Sequence, residues 1–189
     1  MAIKTFTAGA ILTASDTNTF LANSGLVYIT QQTLSGSATN IEGCFTSAFR
    51  DYRIVLDNLF LGGNTDFCWQ GLIGGAAQTG SDYWNASLGY SAGGSAYNSN
   101  TANVNPGRTG ASSIGTDRQF SLTIDIFRPQ LPNVTTMNTH FCQFQTDDFR
   151  FRTGSSGYTQ ANQLTGIRFL SAGGQSISGN ATVYGYRIP

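Results

Sequence analysis

The sequence predicts an all-β protein: an antiparallel β-sandwich of jelly-roll-like topology behind a short N-terminal helical docking segment. Three observations point there. From Leu26 onward apolar residues recur at every second position, most clearly where Phe120, Leu122, Ile124 and Ile126 alternate with Ser121, Thr123 and Asp125, the pattern of a strand with one buried face. Turn-forming residues cut the chain into short pieces at Gly62-Gly63-Asn64, at Pro129 with Pro132-Asn133, at 154–157 and at Gly173-Gly174. Lys4 is the only lysine and Glu42 the only glutamate, so two of the better helix formers are nearly missing and long surface helices are not expected.

Residues 1–25 form the docking segment. Thr13 or Ser15 is placed to cap a short helix, Thr13 and Asp16 have capping-box spacing, and Gly25 stands where a left-handed residue ends a helix. Two helical turns are unstable alone in water. Phe6, Ile11, Leu12, Phe20 and Leu21 are therefore expected to dock on another protein.

Residues 26–189 are read as one β-sandwich domain. Strands are expected at 27–34, 41–45, 50–61, 67–73, 84–90, 118–129, 139–146, 149–153, 166–171 and 181–188, and no fixed repeat suggests a propeller or solenoid. The Gly, Ser, Asn and Tyr-rich stretch at about 74–117 reads as a long loop region with room for only one or two strands. Its Tyr83, Trp84, Tyr90 and Tyr97 are candidate ligand or subunit contacts, because aromatic rings among small polar residues make adaptable contact surface. In the FRFR run, Phe149 and Phe151 share one face, and Arg150 and Arg152 the other, which is expected to be exposed. The two arginines then either meet carboxylates of a neighbouring subunit or form a solvated face.

Composition narrows the function classes. The 189 residues suit one domain. Charged residues make up 11%, against roughly 25% in an average soluble protein, and such a surface suits a crowded assembly. Formal net charge is +0 with no basic block, so no nucleic-acid partner is expected. No apolar run approaches the roughly 18 residues of a membrane span, and the N-terminus lacks the features of a signal peptide. Synthesis in a cytoplasm, with no membrane association, is the expectation.

Cys44, Cys68 and Cys142 are far apart, odd in number and without CxxC spacing, so buried free thiols are expected in place of disulfides or zinc. His140, the only histidine, has no acidic residue close in sequence and reads as a packed structural residue. Asp147-Asp148, the only acidic pair, reads as a turn. Neither enzymatic activity nor a metal or cofactor is expected.

Two segments carry a resemblance. Residues 6–23 contain an F-x-A-G-x-x-L-T-A-x-x-x-N pattern, borne by Phe6, Ala8, Gly9, Leu12, Thr13, Ala14 and Asn18. They resemble the N-terminal segment of many phage tail-associated and fibre-like structural proteins. Residues 164–188, through Gly166, Ile167, Phe169, Gly179, Val183, Tyr184 and Gly185, are similar to the closing strand pair of phage sandwich domains. The middle of the chain carries no such likeness. The resemblance implies a non-enzymatic bacteriophage virion structural protein assembled in the host cytoplasm, with other phage virion proteins as partners. Such proteins occur as tail-fibre or tail-tip parts and as head decoration or head fibres. Coiled-coil, collagen-like and β-helical shaft repeats are missing here, so a compact appendage is expected. A homotrimer or other symmetric oligomer fits this class of role, with a host-surface glycan as candidate ligand. The alternatives are a capsid decoration (cement) protein that stabilises the shell, or a free carbohydrate-binding module.

Overall fold

The computed structural model describes Gly9, Ile11, Thr13 and residues 25–110, 120–145 and 148–187. The expected docking helix, with Phe6, Leu12, Phe20 and Leu21, falls outside the described residues. Of that segment, Ile11 is exposed and Gly25 has a positive φ of 115°.

The described chain folds as antiparallel strands: β1 (Leu26–Leu34), β2 (Ala38–Ile41), β3 (Phe49–Leu61), β4 (Phe67–Ile73), β5 (Ala76–Ala77), β6 (Tyr83–Ser91), β7 (Ala96–Val104), β8 (Gly107–Arg108), β9 (Phe120–Phe127), β10 (Thr135–Gln145), β11 (Asp148–Tyr158), β12 (Gly166–Ser171) and β13 (Ile177–Arg187). Eight of them form one sheet in the order β1-β13-β3-β9-β10-β11-β6-β7. The smaller sheet runs β2-β12-β4-β5, and β8 pairs with β4.

The predicted alternation builds the interface between the sheets. Ile54 pairs in register with Ile124, and Leu56 with Leu122; all four are fully or almost fully buried. Phe67, Trp69, Ile167 and Phe169 belong to the same core from the smaller sheet. Phe67 stacks on Phe169 at 5.4 Å and meets Phe120 edge-on at 6.1 Å. Polar groups close one end: Tyr52 Oη donates to Thr46 O at 2.6 Å, and Gln130 Nε2 donates to the carbonyls of Phe45 and Leu164.

Several expectations need correction. The stretch expected to be mostly loop carries β5 to β8, with β6 and β7 paired along their length, for example Ala86 to Asn100. β7 is an edge strand made largely of Asn, Ser, Thr and Ala, so it has no apolar alternation to reveal it. Residues 154–157 are not a turn but the interior of β11. A Cβ at Gly154 would lie 3.0 Å from Thr139 Oγ1 and 3.1 Å from Ala86 O, so this glycine marks close packing of neighbouring strands. Cys142 and His140 are exposed, because Met137, Thr139, Phe141 and Gln143 take the inward positions of β10. Cys44 and Cys68 are buried as expected, and burial pushes both thiols up to about 12.

Candidate functional site

β6 and β11 are neighbours in the large sheet, and each reverses the usual polarity of a half-buried strand. Along β6, Asn85, Ser87 and Gly89 point inward, while Trp84, Ala86, Leu88 and Tyr90 point to the outer face. On β11, Arg152 and Ser156 are buried, while Phe149 and Phe151 are exposed. The register sets Phe151 directly opposite Tyr90 and Thr153 opposite Leu88. Trp84, Leu88, Tyr90, Phe149 and Phe151 thus share one sheet face, each about half exposed. Clustered exposed apolar side chains of this kind mark contact surfaces on soluble proteins.

The candidate contacts from sequence separate accordingly. Trp84 and Tyr90 lie on this face. Tyr83 does not: it is fully buried, edge-on to Trp69 at 5.0 Å, with its hydroxyl donating to Gln78 O at 2.8 Å and accepting from Gly71 N at 3.1 Å. Burial raises its phenol pKa, and its role is to join the two sheets. Tyr97 lies on β7 opposite Gly89, and its side chain is outside the described residues. The docking candidates other than Ile11 are likewise outside them.

Arg150 and Arg152 are the second correction: they lie on the face opposite Phe149 and Phe151 as expected, but it is the phenylalanine face that is exposed and the arginine face that turns inward. Arg152 is only 8% exposed and its Nη1 donates to Gly110 O at 2.9 Å. The reason is strand continuity: β11 runs unbroken to Tyr158, which is buried beside Tyr83, so Arg150, Arg152, Gly154 and Ser156 take the inward parity. Guanidinium groups are tolerated there because this part of the inner face is polar, with Asn85, Ser87, Thr139 and Gln143.

Among the described residues, that inner polar region is a tightly packed hydrogen-bonded cluster. Arg108 pairs with Asp66, and the Arg108 amide donates to Asn85 Oδ1 at 3.1 Å. The remaining space is about 10 Å³, at most the volume of one water. Among the described residues no group of three His, Cys, Asp or Glu side chains converges on a common point.

On the outer face, charge is segregated. Arg53 holds Asp125 with two hydrogen bonds of 2.7 and 2.8 Å, and Tyr186 donates to the same carboxylate at 3.0 Å. Burial raises the Asp125 pKa, but the Arg53 and Tyr186 hydrogen bonds outweigh it and hold the carboxyl below its ordinary value. Beyond β10 the outer face changes character. A groove of about 690 Å³ crosses β10, β11, β6 and β7, with Thr136, Asn138, Ser155, Gly157, Trp84, Ala86, Asn100 and Ala102 around it. A shallower extension of about 380 Å³ continues past Leu88, Asn98 and Thr153. The indole N–H of Trp84 donates to Asn103 Oδ1 at 3.2 Å, which fixes the ring at one end of the groove.

Sequence reasoning missed Leu88, Phe149, Phe151, Asn100 and Asn138 as parts of this face. Alternation groups Trp84, Leu88 and Tyr90, and Phe149 with Phe151, on shared sides, but which side faces out is set by the pairing partners. Compared with models of known protein families, with curated proteins and with solved structures, the chain matches none.

Proposed function

We propose that this chain is a non-enzymatic bacteriophage virion structural protein: a compact β-sandwich appendage of jelly-roll-like kind, attached to the particle by residues 1–25 through a short helix. In this role it forms a symmetric homo-oligomer, with a trimer favoured, and meets neighbouring virion proteins or the host surface with the outer face of its large sheet. The observation that carries the proposal is the polarity reversal on β6 and β11, which leaves Trp84, Leu88, Tyr90, Phe149 and Phe151 outside. A free monomer gains nothing from that arrangement, since about 25 cal/mol is forfeited for each Å² of apolar surface left in water. The likeness of the terminal segments to phage tail-associated proteins supports the setting, and exposed Ile11 fits a leader that needs a partner surface.

Gold-labelled antibody against the purified chain, applied to phage particles from its source, tests the proposal. Label confined to tail or fibre structures is the expected result. Label spread over tail-free heads would instead favour capsid decoration, and particles without label would overturn a virion role altogether.

A further inference from the structure

Building on the outer face as contact surface, we propose that the groove beside Trp84 binds a neutral oligosaccharide. The groove lies within the usual size range of small-ligand sites, about 300–1,000 Å³, at about 690 Å³. Among the described residues, no Asp, Glu, Lys, Arg or His lines it or its extension. Asp125, which faces Asn138 across the neighbouring strand, is already held by Arg53 and Tyr186. The described lining thus offers an anionic ligand no cation and a cationic ligand no carboxylate.

What the groove does offer matches a sugar. A pyranose presents one apolar face of C–H groups and a rim of hydroxyls that both donate and accept. Trp84 supplies a half-exposed ring whose own polar N–H is satisfied by Asn103, leaving the indole face for stacking. Amide side chains supply donor and acceptor together without charge. Asn100 pairs with Ala86 through the backbone ladder, and its side chain is exposed in the groove. Asn138 accepts from Ser155 Oγ at 3.0 Å through its Oδ1, which leaves its NH₂ group to donate.

The floor is low enough for a ring to lie against the sheet. Ala86, Ser155 and Gly157 are small, and the register sets Ser155 opposite both Ala86 and Asn138, and Gly157 opposite Trp84 and Thr136. With strands spaced about 4.8 Å apart, Trp84 and the Asn138 amide are on the order of 10 Å apart across the sheet. That span suits consecutive sugar units, one stacked on Trp84 and the next among the amides. Tyr90, Phe149 and Phe151, beyond the groove and its extension on the same face, suit protein contact better.

The test is calorimetric titration of the full-length protein with neutral gluco-, manno-, galacto- and N-acetylglucosamine oligosaccharides, and with uronic-acid and sialylated oligosaccharides of similar length. At least one neutral series is expected to bind, with the charged series weaker. Trp84→Ala should weaken binding by about tenfold or more, Trp84→Phe by no more than about threefold, and Asn100→Ala by several-fold, with every variant still folded at the titration temperature. The proposal is overturned if no neutral oligosaccharide binds, if the charged series binds as well or better, or if Trp84→Ala binds as the parent does. Loss of self-association in Trp84→Ala without any sugar binding would assign the groove to contact between copies of this chain. Antibody labelling of particles does not depend on sugar binding, so the virion role and the saccharide site fail separately.

Discussion

Replacing Phe151 and Arg152 one at a time discriminates between the two possible orientations of β11. Phe151 is 45% exposed on the outer face, and Arg152 is 8% exposed with its guanidinium donating to Gly110 O. Complete burial of a phenylalanine is worth roughly 1.5–3 kcal/mol; with about half of the ring already in water, Phe151→Ser should cost about 1 kcal/mol. Arg152→Met keeps the buried stem but deletes charge-assisted hydrogen bonds worth about 1.5–3 kcal/mol each, so about 2 kcal/mol is expected. With a urea m-value of about 2 kcal/mol/M, the unfolding midpoint falls by about 0.5 M for Phe151→Ser and about 1 M for Arg152→Met. Were Phe151 in the core, its truncation would cost roughly 3–5 kcal/mol and the order would reverse. A larger midpoint shift for Phe151→Ser than for Arg152→Met, at unchanged m, would refute the inverted strand and with it the contact face.

Three further outcomes follow from the same structure. Ile124, fully buried between Ile54 and Thr139 on a central strand, should lose about 3–4 kcal/mol as Ile124→Ala, whereas Ile124→Asp should not fold; exposed Ser121→Ala should leave the urea midpoint in place. A thiol reagent should titrate Cys142 rapidly in the native protein and reach Cys44 and Cys68 only on unfolding, since both are buried with pKa values near 12. Because those two values are raised on folding, their contribution is complete below about pH 8.5, the unfolded value, and declines as pH rises toward 12, so alkaline scans should show falling thermal stability. Asp125 has the opposite sign: its lowered folded pKa gives stability that is present above about pH 3.9 and lost as pH falls further. Asp125→Asn should therefore melt below the parent at neutral pH, and a gap that failed to narrow in acid would argue against the Arg53 pairing.

How far local pattern reaches is clear from particular strands. β4 and β12 occupy the ranges that their apolar runs predict; β9 alternates strictly with the expected face inward, and β3 does so from Tyr52 to Leu56 before a bulge shifts the buried positions to Leu59 and Leu61. At β11 the same rule points the wrong way. Alternation says only that Phe149 and Phe151 share a side; inside and outside are decided by Tyr158 and the pairing partners. β7 was invisible because an edge strand that buries little has no apolar period. The 74–117 stretch and the 154–157 run misled for a related reason: glycine, serine and asparagine are turn formers in isolation, yet Gly89 and Gly154 occupy strand interiors where neighbours approach closely.

By itself the sequence determined that this chain is built from short antiparallel strands around an apolar middle, because a period of two and frequent turn residues are local properties. Which side of β6 and β11 meets the core was decided only by tertiary structure. That choice depends on strand register and on which sheet lies opposite, and a polar patch inside the protein, beneath β8, let two strands turn their aromatic side chains outward. The candidate face exists because of that exchange, and it becomes visible only when residues far apart in the chain are set side by side.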